Sequence, residues 1–187
     1  KQNGKEIVEI HSNLSGKHNV ANVLAAISVA RFLKIPVLKI KKAIETFEGV
    51  KRRSEVILER NGITIIDDYA HHPSAVYETL KSMRNRFSTK GGSASGGHKK
   101  RLIVLFEPGS ASSKRRIFEE QYLRAFKLAD RIYIYKPFHV EHMKKSEVFN
   151  GKHIVTRLIK SGKAAWSFND VDKLLFHVKS SIKSGDV

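Results

Sequence analysis

The spacing of apolar residues predicts a helical start to the chain. Apolar side chains recur at three and four positions over residues 18–33, which predicts a well-buried helix. The same spacing over 37–47 predicts a second helix, with Pro36 in its first turn, where proline is tolerated. Alternation over 6–10 is typical of the end of a strand.

The period of the apolar pattern then changes from about four to two. Strands are predicted around 56–58 and 63–65, and Asn61 and Gly62 between them favour a tight primed turn. The sequence therefore predicts a β-hairpin, and the change of period places a domain boundary near 49–53.

The remaining pattern is typical of an α/β domain. Pro73 opens a predicted helix that ends near residue 87, and the glycine-rich stretch 88–100 is expected to be a flexible surface loop. Beyond it, strands are predicted over 101–106, 131–135 and 164–168, and helices over 115–128 and 170–182. Alternating strands and helices imply parallel βαβ units. Residues 184–187 look like the turn into a further strand.

Charge is the strongest feature of the composition. The 187 residues carry a formal net charge of +17, which favours polyanionic partners such as nucleotides or phosphorylated substrates. The basic residues lack the aromatic interleaving that stacks bases, so dedicated nucleic-acid binding is not expected. The chain has no cysteine, which excludes disulfides and thiolate metal sites, and no apolar run approaches the roughly 18 residues of a membrane helix. A cytoplasmic protein fits these features best.

Two asparagines begin the first predicted helix. Asn19 and Asn22 are three residues apart and therefore share one helical face. Their amides could bind the edge of an adenine or a ribose, because each offers a donor and an acceptor. Helix capping is the structural alternative, and spacing alone favours it.

A polar cluster follows the hairpin, where a strand ends and a helix begins. Residues 67–73 contain two acids and two histidines. Asp68, His71 and His72 are among them, and Tyr69 lies between the acids and the histidines. Such corners bind ligands in open α/β sheets. The cluster could position a phosphate, orient the water shell of Mg²⁺ or relay protons, whereas a purely structural role in capping and packing is the alternative. A site built only for a metal is less favoured, since adjacent histidines rarely point at one ion.

Basic residues stand at the predicted boundary. Arg52 or Arg53 could reach across a domain cleft to a phosphoryl group being transferred, where a fork of donors stabilises developing charge. A solvated linker is the usual alternative. Residues 139–142 contain two histidines and a glutamate but lack the helical zinc pattern, so they are interpreted as surface.

Three motifs in order resemble those of the Mur ligase family. Residues 16–22 (GKHNVAN) are similar to its GxHNxxN helix start, 50–53 (VKRR) to its GVKRR segment, and 67–73 (DDYAHHP) to its DDYAHHP signature. The doubled arginine and the doubled histidine are similar to the motifs of the two branches that act on muramate. The segment 106–116 is more similar to the branch that adds a murein tripeptide than to the branch that adds L-alanine. It departs from the tripeptide branch at Gly109, where that branch has arginine.

The resemblance implies an α/β fold: a Rossmann-like C-terminal Mur ligase domain with a mostly parallel sheet plus a β-hairpin, preceded by the helical tail of a central ATPase domain. Residues 1–49 would be that tail, and 50–187 the C-terminal domain without its last strands. The sequence lacks the Gly-x-x-x-x-Gly-Lys-Ser/Thr loop that cradles ATP phosphates. The chain is therefore expected to be part of a longer enzyme and inactive alone.

The resemblance also implies a reaction. The enzyme would join an amino acid or murein tripeptide to UDP-N-acetylmuramate through an acyl phosphate, using ATP and Mg²⁺ bound mostly by another segment. The implied catalytic residues are Arg53, Asp68 and His71; the implied nucleotide-binding residues are Asn19, Asn22, Arg52, Tyr69 and His72; and the implied substrate-binding residues are Glu107, Ser110, Lys114 and Arg115. The alternatives are the alanine-adding ligase and, from another class, a basic nucleic-acid-binding or scaffold domain.

Overall fold

The computed structural model describes residues 7–14, 16–87 and 100–187. The chain is divided into two compact units, Lys1–Lys51 and Arg52–Val187. The predicted loop over 88–100 lies, except for Lys100, outside the described residues. No helix in the described part of the chain is long and apolar enough to cross a membrane.

The first unit contains two helices. Helix α1 covers Lys17–Phe32 and α2 covers Val37–Glu45, close to the predicted bounds. Pro36 takes the position just before α2 instead of lying in its first turn. The prediction of a strand end was wrong where it can be checked, because residues 7–10 have no regular secondary structure.

The prediction that α1 is well buried was also wrong. None of its 16 residues is buried, and Phe32 at its end is 85% exposed. Helical spacing predicted the helix correctly, but it cannot say whether a partner covers the apolar side chains. Within this unit the helix that contacts α1 is α2, whose own buried residue is Ile40.

A β-hairpin opens the second unit and confirms the predicted change of period. Strand β1, Glu55–Arg60, pairs antiparallel with β2, Ile63–Asp67. Asn61 and Gly62 have φ angles of 52° and 74°. Positive φ at both central residues is the geometry of a type I′ turn, which explains why this dipeptide stands here.

A parallel sheet forms the centre of the second unit, as predicted. Strands β3, Ile103–Phe106, β4, Arg131–Tyr135, and β5, Ala164–Phe168, lie side by side in that order. Asp186 forms a further parallel bridge to Arg101, beside the start of β3. Its carbonyl also accepts a hydrogen bond from the backbone of Thr64 in β2, at 3.0 Å. Residues at the end of the chain thus connect the hairpin to the parallel sheet.

Helices cover both faces of this sheet. They are α3 (Pro73–Arg86), α4 (Glu119–Phe126) after a single 3-10 turn (Arg116–Phe118), α5 (Gly151–Lys160) and α6 (Val171–Lys179). Successive residues of β4 lie on opposite faces of the sheet. Ile132 and Ile134 belong to the main apolar core on one face. On the other face, Tyr133 stacks on Trp166 and contacts His177 of α6. The α/β fold with a hairpin is therefore confirmed, although the pattern had not predicted α5.

Candidate functional site

The acidic and histidine-rich corner lies between β2 and α3. The carboxylate of Asp68 accepts hydrogen bonds from the backbone of Ala70 and of Ser54, each at 2.8 Å, and from the Ser54 hydroxyl at 3.1 Å. The hydroxyl of Thr79 in α3 adds a longer contact at 3.4 Å. Both carboxylate oxygens are therefore occupied by the protein itself, so Asp68 acts here as a positioning residue.

The backbone around Arg53 is tied to this corner on both sides. The carbonyl of Arg52 accepts a hydrogen bond from the backbone of Tyr69 at 2.8 Å, and Ser54 donates to Asp68 as described. Arg52 and Ser54 have φ angles of 58° and 53°, a left-handed conformation that non-glycine residues adopt only when surrounding contacts hold them. The position of Arg53 relative to the corner is thus fixed by its neighbours.

The two arginine side chains differ. Arg52 lies over the ring of Tyr69, 4.9 Å from its centroid, and its Nε is 3.3 Å from a carboxylate oxygen of Asp67. Arg53 is exposed, and its guanidinium has no hydrogen bond or ion pair within the described residues. Arg53 therefore presents five unused donors to solvent, whereas Arg52 is held against the corner.

His71 has a defined orientation. Its Nδ1 lies 2.9 Å from the carbonyl oxygen of Tyr69, and its ring packs edge-on against the Tyr69 ring at 4.9 Å. A carbonyl can only accept a hydrogen bond, so Nδ1 must carry the proton. In the neutral ring Nε2 is then unprotonated and can accept a proton or a hydrogen bond from a ligand.

Tyr122 fixes the backbone of His71 through a hydrogen bond. Its hydroxyl, buried on α4, donates a short hydrogen bond to the His71 carbonyl. Burial raises the pKa of this hydroxyl, outweighing the lowering effect of a hydrogen bond with Ser113, so Tyr122 stays protonated and remains a donor. Sequence reasoning missed this residue, because a tyrosine on the apolar face of a helix resembles ordinary core.

His72 has a structural environment. It occupies the position before α3, its Nδ1 lies 2.8 Å from the Ser74 hydroxyl, and its ring packs edge-on against Phe118 at 5.1 Å. Pro73 follows as the first helical residue and is fully buried. These contacts match local packing, and the His72 side chain makes no capping hydrogen bond. The expected role of His72 in nucleotide binding stays a prediction.

The loop after β3 approaches the same corner. A Cβ placed on Gly109 would lie 3.9 Å from the Cβ of His71, which brings this loop beside the histidine. Ser110 and the buried Ser113 hold the loop in shape: the backbone of Ser110 donates to the Ser113 hydroxyl at 2.8 Å, and that hydroxyl donates to the Ser110 carbonyl at 2.9 Å. Glu107 is exposed at its start.

The basic end of this loop is anchored through its backbone. The carbonyl of Lys114 accepts a hydrogen bond from the backbone of Phe149 at 2.7 Å, and Arg115 forms an antiparallel bridge with Val148. The side chains of Lys114 and Arg115 form no ion pair within the described residues. The substrate contact predicted for these two side chains stays a prediction.

The two asparagines of the first unit lie on α1. Asn19 is partly buried and its backbone donates to the carbonyl of Gly16 at 3.0 Å, whereas Asn22 is exposed one turn further along. The structure thus confirms that they lie three residues apart near the start of a helix. Their predicted contact with adenosine remains a proposal.

The candidate residues fit an anionic nucleotide better than a metal ion. In the described part of the chain, no group of three or more His, Cys, Asp or Glu side chains could hold a metal together. The exposed guanidinium of Arg53 fits a phosphate group in charge and donor geometry. Chemically, the corner combines a base, His71, with a free cation, Arg53.

Comparison with known proteins decides the family. Residues 52–187 match the sequence family described as "Mur ligase, glutamate ligase domain". The chain belongs to the Mur ligase family. The match covers the whole second unit, and with it the corner at 67–73 and the loop after β3.

Individual Mur ligases resemble the chain over different lengths. The UDP-N-acetylmuramate–L-alanine ligase of Desulforapulum autotrophicum is 45% identical over 132 residues, covering 70% of this chain and 26% of that protein. The crystal structure of UDP-N-acetylmuramate–alanine ligase from Thermotoga maritima superimposes with a TM-score of 0.76 at 26% identity, covering 99% of this chain and 36% of its own.

A murein peptide ligase is also among the structural relatives. The structure from Psychrobacter arcticus has a TM-score of 0.67 at 28% identity and covers 99% of this chain and 36% of its own. The chain therefore spans about a third of each of these solved structures. Of these three relatives, the sequence relative and the Thermotoga structure carry the name of the alanine-adding enzyme, and the Psychrobacter structure that of a peptide ligase. The tripeptide branch expected from the sequence is therefore not confirmed.

Proposed function

We propose that the chain forms part of an ATP-dependent amide ligase of peptidoglycan synthesis or recycling, acting in the cytoplasm. The proposed acceptor is UDP-N-acetylmuramate, and the proposed donor is the amine of an amino acid or a murein tripeptide. Membership of the Mur ligase family supports the reaction class. Because the chain spans 36% of its solved relatives, we propose that residues 1–49 belong to a central ATPase domain and that the 187 residues alone are inactive.

The observation that carries the proposal is the fixed position of Arg53. Hydrogen bonds on either side of it join the backbone to Asp68 and Tyr69, while its guanidinium stays free. A cation held in place before the reaction stabilises charge that develops on a transferred phosphoryl group, without reorganisation during the step. Asp68 contributes indirectly, by holding this backbone.

The proposed reaction has two steps. The lactyl carboxylate of UDP-N-acetylmuramate takes the γ-phosphoryl group of ATP, which leaves ADP and an acyl phosphate. The donor amine then attacks the acyl carbon, the amide bond forms and phosphate leaves. Nε2 of His71 is free to accept the proton that the amine loses, because Nδ1 is committed to the Tyr69 carbonyl.

The nucleotide would be held by several side chains. In this proposal Asn19 and Asn22 contact the adenosine. Arg53 contacts the γ-phosphate, and Arg52 and Tyr69 lie beside Arg53. ATP supplies the phosphoryl group that activates the carboxylate. Since the described residues offer no cluster of metal ligands, Mg²⁺ would depend on ligands from elsewhere in the enzyme.

The donor can be decided by an assay of the intact enzyme that contains this chain. Phosphate release is measured with UDP-N-acetylmuramate, ATP, Mg²⁺ and either L-alanine or L-alanyl-γ-D-glutamyl-meso-diaminopimelate. Release with the tripeptide alone supports the recycling enzyme, and release with alanine alone supports the alanine-adding one. Release with neither donor contradicts the proposed ligase activity.

A further inference from the structure

Basic residues are concentrated at one edge of the parallel sheet, where strands β3, β4 and β5 begin. The three strands start in register, with Ile103 beside Arg131 and Arg131 beside Ala164. Neighbouring strands lie about 4.8 Å apart, so the three strand starts lie within about 10 Å of one another. Helices α3, α4 and α5 each lead into one of these strands, so each of them ends at the same edge.

Side-chain contacts join the helix ends to the strand starts. Arg84, in the last turn of α3, donates to the carboxylate of Asp130, just before β4, at 2.7 Å. Lys163, just before β5, donates to the carbonyl of Ala129 at 2.9 Å. The ends of α3 and α4 and the start of β5 are therefore next to one another.

The end of α6 reaches the same edge from the other face of the sheet. Arg101, just before β3, donates to the carbonyl of Ser181 at 2.8 Å and forms an ion pair with Asp186. Lys179 and Lys183 lie two residues to either side of Ser181 in the sequence. Both lysines therefore belong to this edge.

The acids of this edge are already neutralised. In the segments that follow α3, α4, α5 and α6, the described residues include two acids, Asp130 and Asp186, which pair with Arg84 and Arg101. Seven further basic residues of these segments form no ion pair with any described residue. These seven, here called the basic edge, are Arg86, Lys100, Lys127, Arg131, Lys160, Lys179 and Lys183.

Helix stability explains only part of this charge. Cations in the last turn of a helix offset the negative end of its dipole, which accounts for Arg86, Lys160 and Lys179. Lys100 precedes a strand and Arg131 begins one, and strands have little net dipole. The fold does not need this remaining charge, and an uncompensated cationic surface attracts an anionic partner.

The chemistry of the basic edge favours a lipid surface over a nucleic acid. Five of its seven residues are lysines, which act as point charges, and both of its arginines lie over aromatic rings, Phe87 and Trp166. Helix ends direct backbone carbonyls towards this edge, whereas nucleic-acid phosphates are bound by backbone N–H groups and helix N-termini. A surface of diffuse negative charge does not need such donors.

Apolar side chains lie among these cations. Ile159, in the last turn of α5 beside Lys160, is 55% exposed. Phe87 is half-buried, and the Nζ of Lys100 lies 5.2 Å from the centroid of its ring. Lysine side chains next to apolar groups suit the headgroup region of a bilayer. Each basic residue near an anionic bilayer raises the affinity by about fivefold.

We propose that the basic edge binds the surface of an anionic phospholipid membrane. The inference goes beyond the proposed ligase function and does not depend on it. Gly109, which adjoins His71, lies in the loop after β3, at the opposite end of the strands. Binding through the basic edge therefore keeps the corner with His71 away from the lipid.

The test is sedimentation of the intact enzyme that contains this chain with phospholipid vesicles at low salt. One set of vesicles is phosphatidylcholine, and the other is an equimolar mixture of phosphatidylcholine and phosphatidylglycerol. Duplex DNA is titrated separately. The test variant combines Lys127→Gln, Lys160→Gln and Lys179→Gln, three exposed members of the basic edge.

The control variant has the same net charge as the test variant. It combines Lys144→Gln, Lys145→Gln and Lys152→Gln, which are exposed and lie beyond the carboxyl ends of β4 and β5. The strands separate the two edges by about 15 Å, more than the Debye length of about 8 Å at physiological salt. A difference between the variants therefore reports the position of the charge. Circular dichroism checks that both variants are folded.

The expected result is binding to the anionic vesicles, much less binding to neutral ones, and loss of binding as salt is added. The test variant should bind about 100-fold more weakly, from three charges at about fivefold each, and the control variant within about threefold of the unmodified enzyme. If the test variant does not fold, each of its single substitutions is titrated and should weaken binding by about fivefold.

Four outcomes would overturn the inference. They are no binding to anionic vesicles, equal binding to neutral vesicles, equal weakening by the test and control variants, and binding to duplex DNA without binding to vesicles. Equal weakening would mean that net charge alone attracts the lipid. Ligase turnover is not a readout here, so these outcomes leave the proposed function unchanged.

Discussion

The buried hydroxyl of Tyr122 donates a hydrogen bond to the backbone carbonyl of His71. Together with the bond between His71 Nδ1 and the carbonyl of Tyr69, it fixes both the backbone and the ring of the histidine. The proposed base is therefore positioned by a residue 51 positions away in the chain.

Replacing Tyr122 with phenylalanine should loosen this histidine. Tyr122→Phe leaves the His71 carbonyl without its donor, which is expected to lower the free energy of unfolding by about 2 kcal/mol. Tyr133→Phe is the control, because its equally buried hydroxyl bonds Ser181 on the other face of the sheet. The ring signals of His71 in NMR spectra should shift in the first variant only. Unchanged His71 signals in Tyr122→Phe would show that the hydroxyl does not position the ring.

The two neighbouring acids of the corner should respond differently to neutralisation. Asp68→Asn replaces a carboxylate that accepts four hydrogen bonds, so we expect a loss of about 2–3 kcal/mol in unfolding free energy. Asp67→Asn removes one partly exposed contact with Arg52 and should cost less than about 1 kcal/mol. Urea denaturation measures the unfolding free energy of both variants. Equal costs would mean that Asp68 does not hold the corner.

Acid should weaken the contact at the end of the chain. Asp186 is buried; burial alone raises its pKa, but hydrogen bonds from Arg101 and the backbone of Lys183 outweigh this and lower the pKa below 3.8. A lowered folded pKa stabilises the protein above the unfolded pKa, and the stabilisation disappears as the pH falls through the folded pKa.

Asp186→Asn should therefore lower the unfolding free energy by about 3 kcal/mol at pH 7 and by less at pH 3. Urea denaturation at the two pH values checks the difference. The exposed Glu59→Gln on β1 is the control and should change stability by less than about 0.5 kcal/mol at pH 7. A cost for Asp186→Asn that is as large at pH 3 as at pH 7 would contradict the pKa assignment.

Gly109 can be replaced by arginine, the residue that the tripeptide branch has at this position. The nearest atom to a Cβ at this position is 3.9 Å away, an ordinary contact, so Gly109→Arg should change unfolding free energy by less than about 1 kcal/mol. The added guanidinium would lie beside His71 and should lower the KM for a carboxylate-bearing donor in the intact enzyme. Gly109→Ala is the matched control. If both variants have the same KM, this position does not contact the donor.

The sequence predicted much of this fold because its signals were local. The turn at Asn61 and Gly62, and strands β4 and β5, follow from residue types and period alone, and the structure has them at the predicted positions. Helix α5 was missed because an irregular segment precedes it. Its start at Asn150 and the buried Ile154 and Leu158, four residues apart, could have indicated it.

The rest depended on contacts distant in sequence. The motifs identified His71 and Arg53, but they could not show that Tyr122 and Asp68 hold these two residues in place. Exposure of α1 was likewise unpredictable, because an apolar pattern does not reveal what covers it.

The most direct test of the account is phosphate release by the intact enzyme carrying Arg53→Ala. Losing one preorganised donor at a transferred phosphoryl group should lower kcat by about 10²–10³-fold, while Arg60→Ala, on the exposed hairpin, should keep kcat within a factor of about two. Unchanged kcat in Arg53→Ala, with normal folding, would contradict the proposal that this corner stabilises the phosphoryl group.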